Sequence, residues 1–302
     1  MLTLDHVSKV YRVGTFGGKT LAAVTDVSFE IGEGEIVSLI GESGSGKSTI
    51  GKMILRLASA TSGTITFDGV DISGLAGGDL KAYHGFVQGV FQDPFSSFNP
   101  IFKVGRVFDM VHDGLLPRGV PDWDERVQKA LAAVGLDPGE VLGKYPHQLS
   151  GGQLQRLLVA RALVLDIRFL VADEIISMLD ASTRIDVLNL LGELKQRGLG
   201  VLFVTHDLSL GNYISDRTVI LRRGRIVEMG ETAKVFEGPR HPYTQMLLAS
   251  VPKLHEKWAG RVRVSRSGTE GPLDLDGGDG AALVEVDPGH LVALPETGDG
   301  PR

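Results

Sequence analysis

The sequence predicts an α/β fold with a parallel-sheet core, an N-terminal antiparallel β subdomain, an inserted helical subdomain and a C-terminal extension. Three observations carry this. Short apolar runs at Ile36–Ile40, Phe169–Asp173 and 201–206 have the length of buried strands, and segments of helical period lie between them, the alternation of a parallel sheet. The first 35 residues instead alternate apolar and polar positions, the period of half-buried strands. Residues 93–165 are mostly helical in pattern, which sets a separate lobe inside the α/β frame.

In chain order, Leu2, Leu4, Val27, Phe29 and Ile31 supply one face of the antiparallel sheet. Ile36–Ile40 then feeds a glycine-rich loop, and Ile50, Ile54 and Leu57 follow at helical spacing, so the order is strand, loop, helix. Residues 64–72 carry Asp68-Gly69 at their centre, a pair that tolerates positive φ and turns a hairpin. In the helical lobe, Asp122 and Glu125 are spaced as N-cap and N3 partner ahead of Val127, Leu131 and Val134 on one face, with Gly135 as the stop. The strands at Phe169–Asp173 and 201–206 end in charged residues, and their carboxyl ends are expected to share one crevice. Residues 219–229 read as a hairpin. A proline- and aromatic-containing segment, 239–258, precedes a Gly- and Asp-rich tail.

Bulk properties exclude several classes of protein. The chain has 302 residues, 42% of them apolar, enough for a large core. Its longest apolar stretches, 157–165 and 169–172, are interrupted or bounded by Arg161, Asp166, Arg168 and Asp173, far short of the roughly 20 residues that cross a bilayer. The N-terminus shows no basic segment followed by an apolar one, so the expected location is cytoplasmic. With no cysteine there is no disulfide framework, thiolate zinc site or cysteine-held cluster. The net charge of −6 resides in the tail: residues 264–302 hold 8 of the 37 acids but 2 of the 31 bases. The body is therefore balanced, and no nucleic-acid partner is expected.

The chemistry begins at Gly41-Glu42-Ser43-Gly44-Ser45-Gly46-Lys47-Ser48-Thr49, which fits G-x-x-x-x-G-K-[ST] after a strand and at the start of a helix. Such glycines let backbone N–H groups turn inward on a phosphate, and the helix N-terminus adds partial positive charge. Lys47 is expected to reach the β- and γ-phosphates and Ser48 to offer its hydroxyl to Mg2+. A second motif, Phe169-Leu170-Val171-Ala172-Asp173-Glu174, ends a buried strand in two carboxylates. Asp173 meets Mg2+ through water, and Glu174 is the general base for the attacking water. Together the two motifs predict nucleotide hydrolysis.

Leu149-Ser150-Gly151-Gly152-Gln153, followed by an apolar helix, resembles the signature of ABC ATPases, which implies a P-loop NTPase fold with bound ATP and Mg2+. The resemblance implies that Ser150, Gly151, Gly152 and Gln153 close over the γ-phosphate held by a second ATPase. Gln92, in Val90-Phe91-Gln92-Asp93-Pro94, matches the Q-loop glutamine near Mg2+ and the lytic water. His206 matches the switch histidine, Tyr11 the adenine-stacking aromatic, and Asp180 the D-loop aspartate at the dimer interface. The D-loop departs from the family pattern: Ile175 and Ile176 stand where Pro and Thr are usual, and Met178 follows. That leaves a non-hydrolysing regulatory subunit as the alternative reading.

Within that family, residues 91–100 resemble the extended Q-loop of the oligopeptide/dipeptide importers, and residues 238–244 with Leu247 and Leu248 resemble their C-terminal motif. The implied division is a nucleotide-binding domain over 1–235, with its helical subdomain over about 93–165, and an extension over 236–302. The implied partners are a second ATPase subunit (a paralogous heterodimer favoured over a homodimer), two transmembrane permease subunits and an extracytoplasmic solute-binding protein. The chain is then peripheral on the cytoplasmic face of the membrane. The solute is a peptide, with nickel complexes and oligosaccharides as alternatives. The composition of the tail from residue 265 favours weak order, and a docked strand near 282–286 is the other reading.

Overall fold

The structure is a computed structural model that describes residues 1–13, 18–116, 121–177, 179–250 and 281–293. β1 (Leu2–Val13) and β2 (Lys19–Ile31) pair antiparallel, as their alternation predicts, and bury Leu2, Leu4, Val27, Phe29 and Ile31. β3 (Ile36–Ile40) leads through the glycine loop into α1 (Lys47–Ile54). β4 (Ser62–Phe67) and β5 (Val70–Asp71) form the hairpin, with Asp68 and Gly69 at φ of 51° and 78°. α2 (Gly77–Phe86) precedes β6 (Val87–Val90).

The helical lobe holds α3 (Arg106–Leu115), α4 (Trp123–Ala133), α5 (Pro138–Val141) and α6 (Gly151–Leu163). Ahead of α3, the chain after Asp93 has one short 3-10 turn, Phe95–Ser97, among its described residues. The chain returns to the sheet as β7 (Phe169–Asp173), α7 (Ala181–Gln196), β8 (Gly200–Thr205), α8 (Leu208–Ile214), β9 (Arg217–Arg222) and β10 (Arg225–Glu231). α9 (Thr232–Glu237), α10 (Pro242–Ala249), β11 (Leu283–Asp287) and β12 (His290–Ala293) complete it.

The larger sheet runs β11-β12-β10-β9-β3-β8-β7-β6, parallel from β6 through β9 and antiparallel beyond. Every residue of β3, β7 and β8 is buried, because both faces of these strands are covered. The pleat divides them: Leu170, Ala172, Val201 and Phe203 join the core under the helical lobe. Phe169, Val171, Leu202 and Val204 join the core shared with α1 and the smaller sheet, β2-β1-β4-β5.

Three expectations are corrected. α1 ends at Ile54, so Leu57 lies beyond it and is 62% exposed. Asp122 stands at the N-cap position but in the left-handed region, with no side-chain cap bond, and Glu125 pairs with Lys129 at 2.7 Å instead. The face Val127, Leu131 and Val134 is buried as expected, and Gly135 has φ of 66°. The tail is not weakly ordered throughout: β12 pairs with β10 through Glu228–Val292 and Met229–Leu291, and β11 pairs with β12. Composition misled here because a short hairpin that completes an existing sheet edge needs few apolar residues of its own. Residues 251–280 and 294–302 lie outside the described residues.

Candidate functional site

The glycine loop is held from several sides. Its carboxyl end is Gly46, the N-cap of α1, at φ of 104°, and a Cβ there would come within 2.3 Å of the Ala23 carbonyl oxygen. A Cβ on Gly41 would meet the Leu221 carbonyl oxygen at 2.1 Å, so the loop lies directly against the backbone of β2 and β9. Ser45 N donates to the Glu42 carbonyl at 3.2 Å, and Gly224 N, in the β9–β10 turn, donates to the Ser45 carbonyl at 2.9 Å. Gly44 faces open space.

Lys47 is 5% exposed, and its ammonium donates to the carbonyls of Gly41 (2.7 Å) and Glu42 (2.8 Å). Burial lowers its pKa, against the attraction of Glu174, Asp173 and Glu42. Ser48 Oγ donates to Asp173 Oδ1 at 3.2 Å. Burial raises the Asp173 pKa, and the Ser48 bond and Lys47 only partly offset it. A hydroxyl beside a buried carboxylate whose charge burial disfavours is the hard-oxygen donor set that suits Mg2+, which binds few protein ligands and keeps waters and phosphate oxygens.

Glu174 follows at the strand end with φ of 51°, a left-handed conformation that costs a non-glycine residue about 1 kcal/mol or more. Two contacts compensate: its N–H donates to the Val204 carbonyl at 2.9 Å and its carbonyl accepts from Ser177 Oγ at 2.9 Å. The turn directs its carboxylate to His206 Nδ1, 3.3 Å away. Tyr11, Leu21, Ala22, Ala23, Ser43, Gly44, Gly46, Lys47, Ser48, Thr49, Gln92, Glu174 and His206 all line one cleft of about 710 Å³. Ile175 and Ile176 are buried in the core, so the D-loop departure leaves Glu174 in the cleft, and Met178 lies outside the described residues.

The signature residues do not join this cleft. Ser150 caps α6: its Oγ accepts from Gln153 N at 3.2 Å while Gln153 Oε1 accepts from Ser150 N at 3.0 Å. That hydroxyl acts as an acceptor within its own helix and still has a proton to donate. Gly152 packs on the start of α7, where a Cβ would lie 3.0 Å from Thr183 Cγ2. Asp180 caps α7, accepting from Thr183 N, Thr183 Oγ1 and Ser182 Oγ. Those bonds, Ser182 first, hold its pKa down at about 2.

Sequence reasoning missed Tyr243, whose Oη accepts from the Glu42 N–H of the phosphate loop at 3.2 Å. The motif at 238–244 was visible, but nothing in its spacing reveals a contact 201 residues away.

A parallel sheet with a lysine-bearing glycine loop, a buried strand-end carboxylate and a glutamate–histidine pair in one cleft defines a nucleotide-hydrolysing P-loop protein. Residues 24–177 match the family model for ABC transporters, and residues 227–278 match that for the oligopeptide/dipeptide transporter C-terminal region. The chain is 40% identical to the oligopeptide transport ATP-binding protein OppF of Streptococcus mutans, over 98% of this chain and 95% of that one. It is 41% identical to OppF of Bacillus subtilis, over 92% and 91%. A putative peptide import ATP-binding protein of Brucella ovis is 40% identical over 97% and 96%. Among solved structures, the dimeric ATP-binding cassette MJ0796, in a post-hydrolysis state bound to ADP and Pi, aligns with TM-score 0.68 and 30% identity over 77% of this chain and 99% of that one. The chain belongs to the ABC transporter family of ATP-binding subunits, in its oligopeptide/dipeptide branch, and it is an ATPase.

Proposed function

We propose that this chain is the motor subunit of an importer of peptides, driven by ATP-dependent closure of two nucleotide-binding domains. The observation that carries this reading is the separation of the two phosphate-binding helix ends. The cleft gathers the lysine loop, Glu174 and His206, with Asp173 bonded to Ser48 at its wall, while Ser150, Gly151, Gly152 and Gln153 stand at another helix start outside it. A nucleotide enclosed by both ends therefore needs a second ATPase chain, a paralogue before a second copy.

In the cleft, Tyr11 stacks on adenine. The loop amides of 41–46 hold the β-phosphate, with Thr49 at the edge, and Lys47 exchanges its two carbonyl partners for phosphate oxygens. Ser48, Asp173 and Gln92 would hold Mg2+, which when bound neutralises charge on the phosphates. Glu174 orients the attacking water and takes its proton, and His206 braces Glu174 and the γ-phosphate. Asp180 and Ser150 of the neighbouring ATPase complete the enclosure.

Closure reaches the membrane through the helical lobe. A groove of about 530 Å³ there is lined by the exposed Ile101 and Phe102 with Phe108, Trp123, Leu142 and Tyr145. It begins a few residues after Gln92 and fits a short helix of a transmembrane permease subunit. With two such permeases and an extracytoplasmic solute-binding protein, the chain works at the cytoplasmic membrane face as a nucleotide-binding domain over 1–235 with an extension over 236–302. None of its helices among the described residues is long and apolar enough to cross a membrane.

The test is purification of the assembled complex from its native host. Polytopic membrane chains and a second ATPase are expected to copurify, and ATP turnover is expected to rise with a peptide-loaded binding protein. A complex without membrane proteins would sink the transport assignment.

A further inference from the structure

The C-terminal extension reaches the nucleotide site through one peptide group. The plane joining Gly41 to Glu42 is gripped at both edges: its carbonyl oxygen, on Gly41, accepts from Lys47 Nζ at 2.7 Å, and its N–H, on Glu42, donates to Tyr243 Oη at 3.2 Å. In a trans peptide these groups point in opposite directions, so holding the N–H fixes where the carbonyl points. A cavity of about 270 Å³ adjoins the loop there, lined by Ser43, Gly44, Tyr243 and Met246 among others.

Tyr243 is itself rigidly held. It is 1% exposed, in the cluster formed by Ile40, Leu208, Ile220, Val227 and Val235. Burial raises its pKa, so the hydroxyl stays protonated and neutral at pH 7. Its own N–H donates to His241 Nδ1 at 3.0 Å, the cap of α10. The turn before it is anchored on Glu228, fully buried in β10, whose carboxylate accepts from Arg240 N at 2.8 Å, from His241 N at 3.0 Å and from His290 Nε2 at 2.8 Å. His290 belongs to β12. The hairpin at the end of the described chain, the 240–243 turn and the phosphate loop therefore form one connected hydrogen-bonded path.

We propose that Tyr243 is a positioning residue that orients the Gly41–Glu42 peptide and thereby sets the resting place of the Lys47 ammonium for nucleotide binding, with Glu228 and the β11–β12 hairpin holding Tyr243 in register. The inference rests on the phosphate loop being the ATP site. It assigns the extension a task at that site, whatever solute the assembly carries.

The test compares the full-length wild-type chain with Tyr243→Phe, which keeps the ring and removes only the hydroxyl that accepts from Glu42 N. Hydrogen–deuterium exchange of peptides covering 41–46, without nucleotide, is expected to accelerate in Tyr243→Phe. Its Kd for Mg-ATP is expected to weaken about three- to tenfold, the span of one neutral hydrogen bond, and in the complex KM for ATP is expected to rise while kcat stays within about twofold. Glu228→Gln is expected to act in the same direction and less. Thr244→Val is the control, since Thr244 is fully buried on the same helix and its hydroxyl has no partner. It is expected to leave exchange at 41–46 and Kd unchanged. Unchanged exchange and Kd in Tyr243→Phe would overturn the proposal, and so would equal changes in Tyr243→Phe and Thr244→Val, which mark a packing role. If Lys47→Ala bound Mg-ATP like wild type, the nucleotide-site reading would fall with it. Loss of binding in Lys47→Ala beside a wild-type Tyr243→Phe sinks the tyrosine proposal alone.

Discussion

Two helices of this molecule begin at a serine- and glycine-rich segment, and they are finished differently. α1 starts from Gly46 with no side-chain cap, its first residue Lys47 is buried, and its loop is tied to β2, β9 and Tyr243. α6 starts from Ser150, which closes a capping box with Gln153, and its first turn carries no charged residue. Both ends share the same dipole and free amides. The first has in addition Lys47, Glu174 and His206 along one cleft, with Asp173 bonded to Ser48 beside it, which under the proposed reading leaves one side of the nucleotide for a partner to cover. The second closes a capping box and has no charged side chain in its first turn, which suits a surface that closes on a phosphate held elsewhere.

The contrast can be broken at either end. The largest effect is expected from Glu174→Gln, which removes the proposed general base but not the proposed binding groups: phosphate release in the assembled complex should drop about 10²- to 10⁴-fold while Mg-ATP still binds. Equal, slow turnover in wild type and variant would take hydrolysis away from this cleft. Next, Lys47→Ala should weaken Mg-ATP binding by about 10- to 100-fold, the scale of charge-assisted hydrogen bonds, as read by calorimetry. At the other helix, Ser150→Ala should leave the Kd of the isolated chain for Mg-ATP unchanged, lower turnover in the assembled complex, and cost about 1 kcal/mol of stability through the lost cap. A weakened Kd in the isolated chain would place Ser150 in the same cleft as Lys47 and erase the distinction.

The smallest effect concerns Asp180, next to the signature. Its pKa in the folded chain is about 2, below the ordinary 3.8, so the unfolded state takes up the proton first as the medium is acidified. Its contribution is complete at neutral pH and above the ordinary value, and is lost as pH falls through about 4 toward about 2. Asp180→Asn should therefore flatten that limb of the stability profile and leave the neutral range alone, which urea unfolding at stepped pH would read.

Much of the cleft was legible in the chain because its parts are local. Gly41 to Ser48, Asp173-Glu174 and His206 each lie at the end of a short apolar run, and a buried strand announces itself by composition. The errors fell where neighbours in space outvote neighbours in sequence. Asp122 has the spacing of a cap, yet adopts a left-handed turn without a cap bond. The polar tail carries a hairpin that composition argued against, because β10 already offers an edge for it to complete.

By itself, then, the sequence determined the parallel core, the phosphate loop with its carboxylates and the separate signature helix. Periodicity and fixed-spacing motifs act over a few residues, and a chain records them directly. Tertiary structure alone decided that the tail hairpin completes the edge of β10, that Tyr243 bonds the phosphate loop, and that His290 is joined to that loop through Glu228 and the 240–243 turn. Those outcomes depend on which strand edges and peptide groups come to lie side by side, and the packing of distant segments sets that geometry.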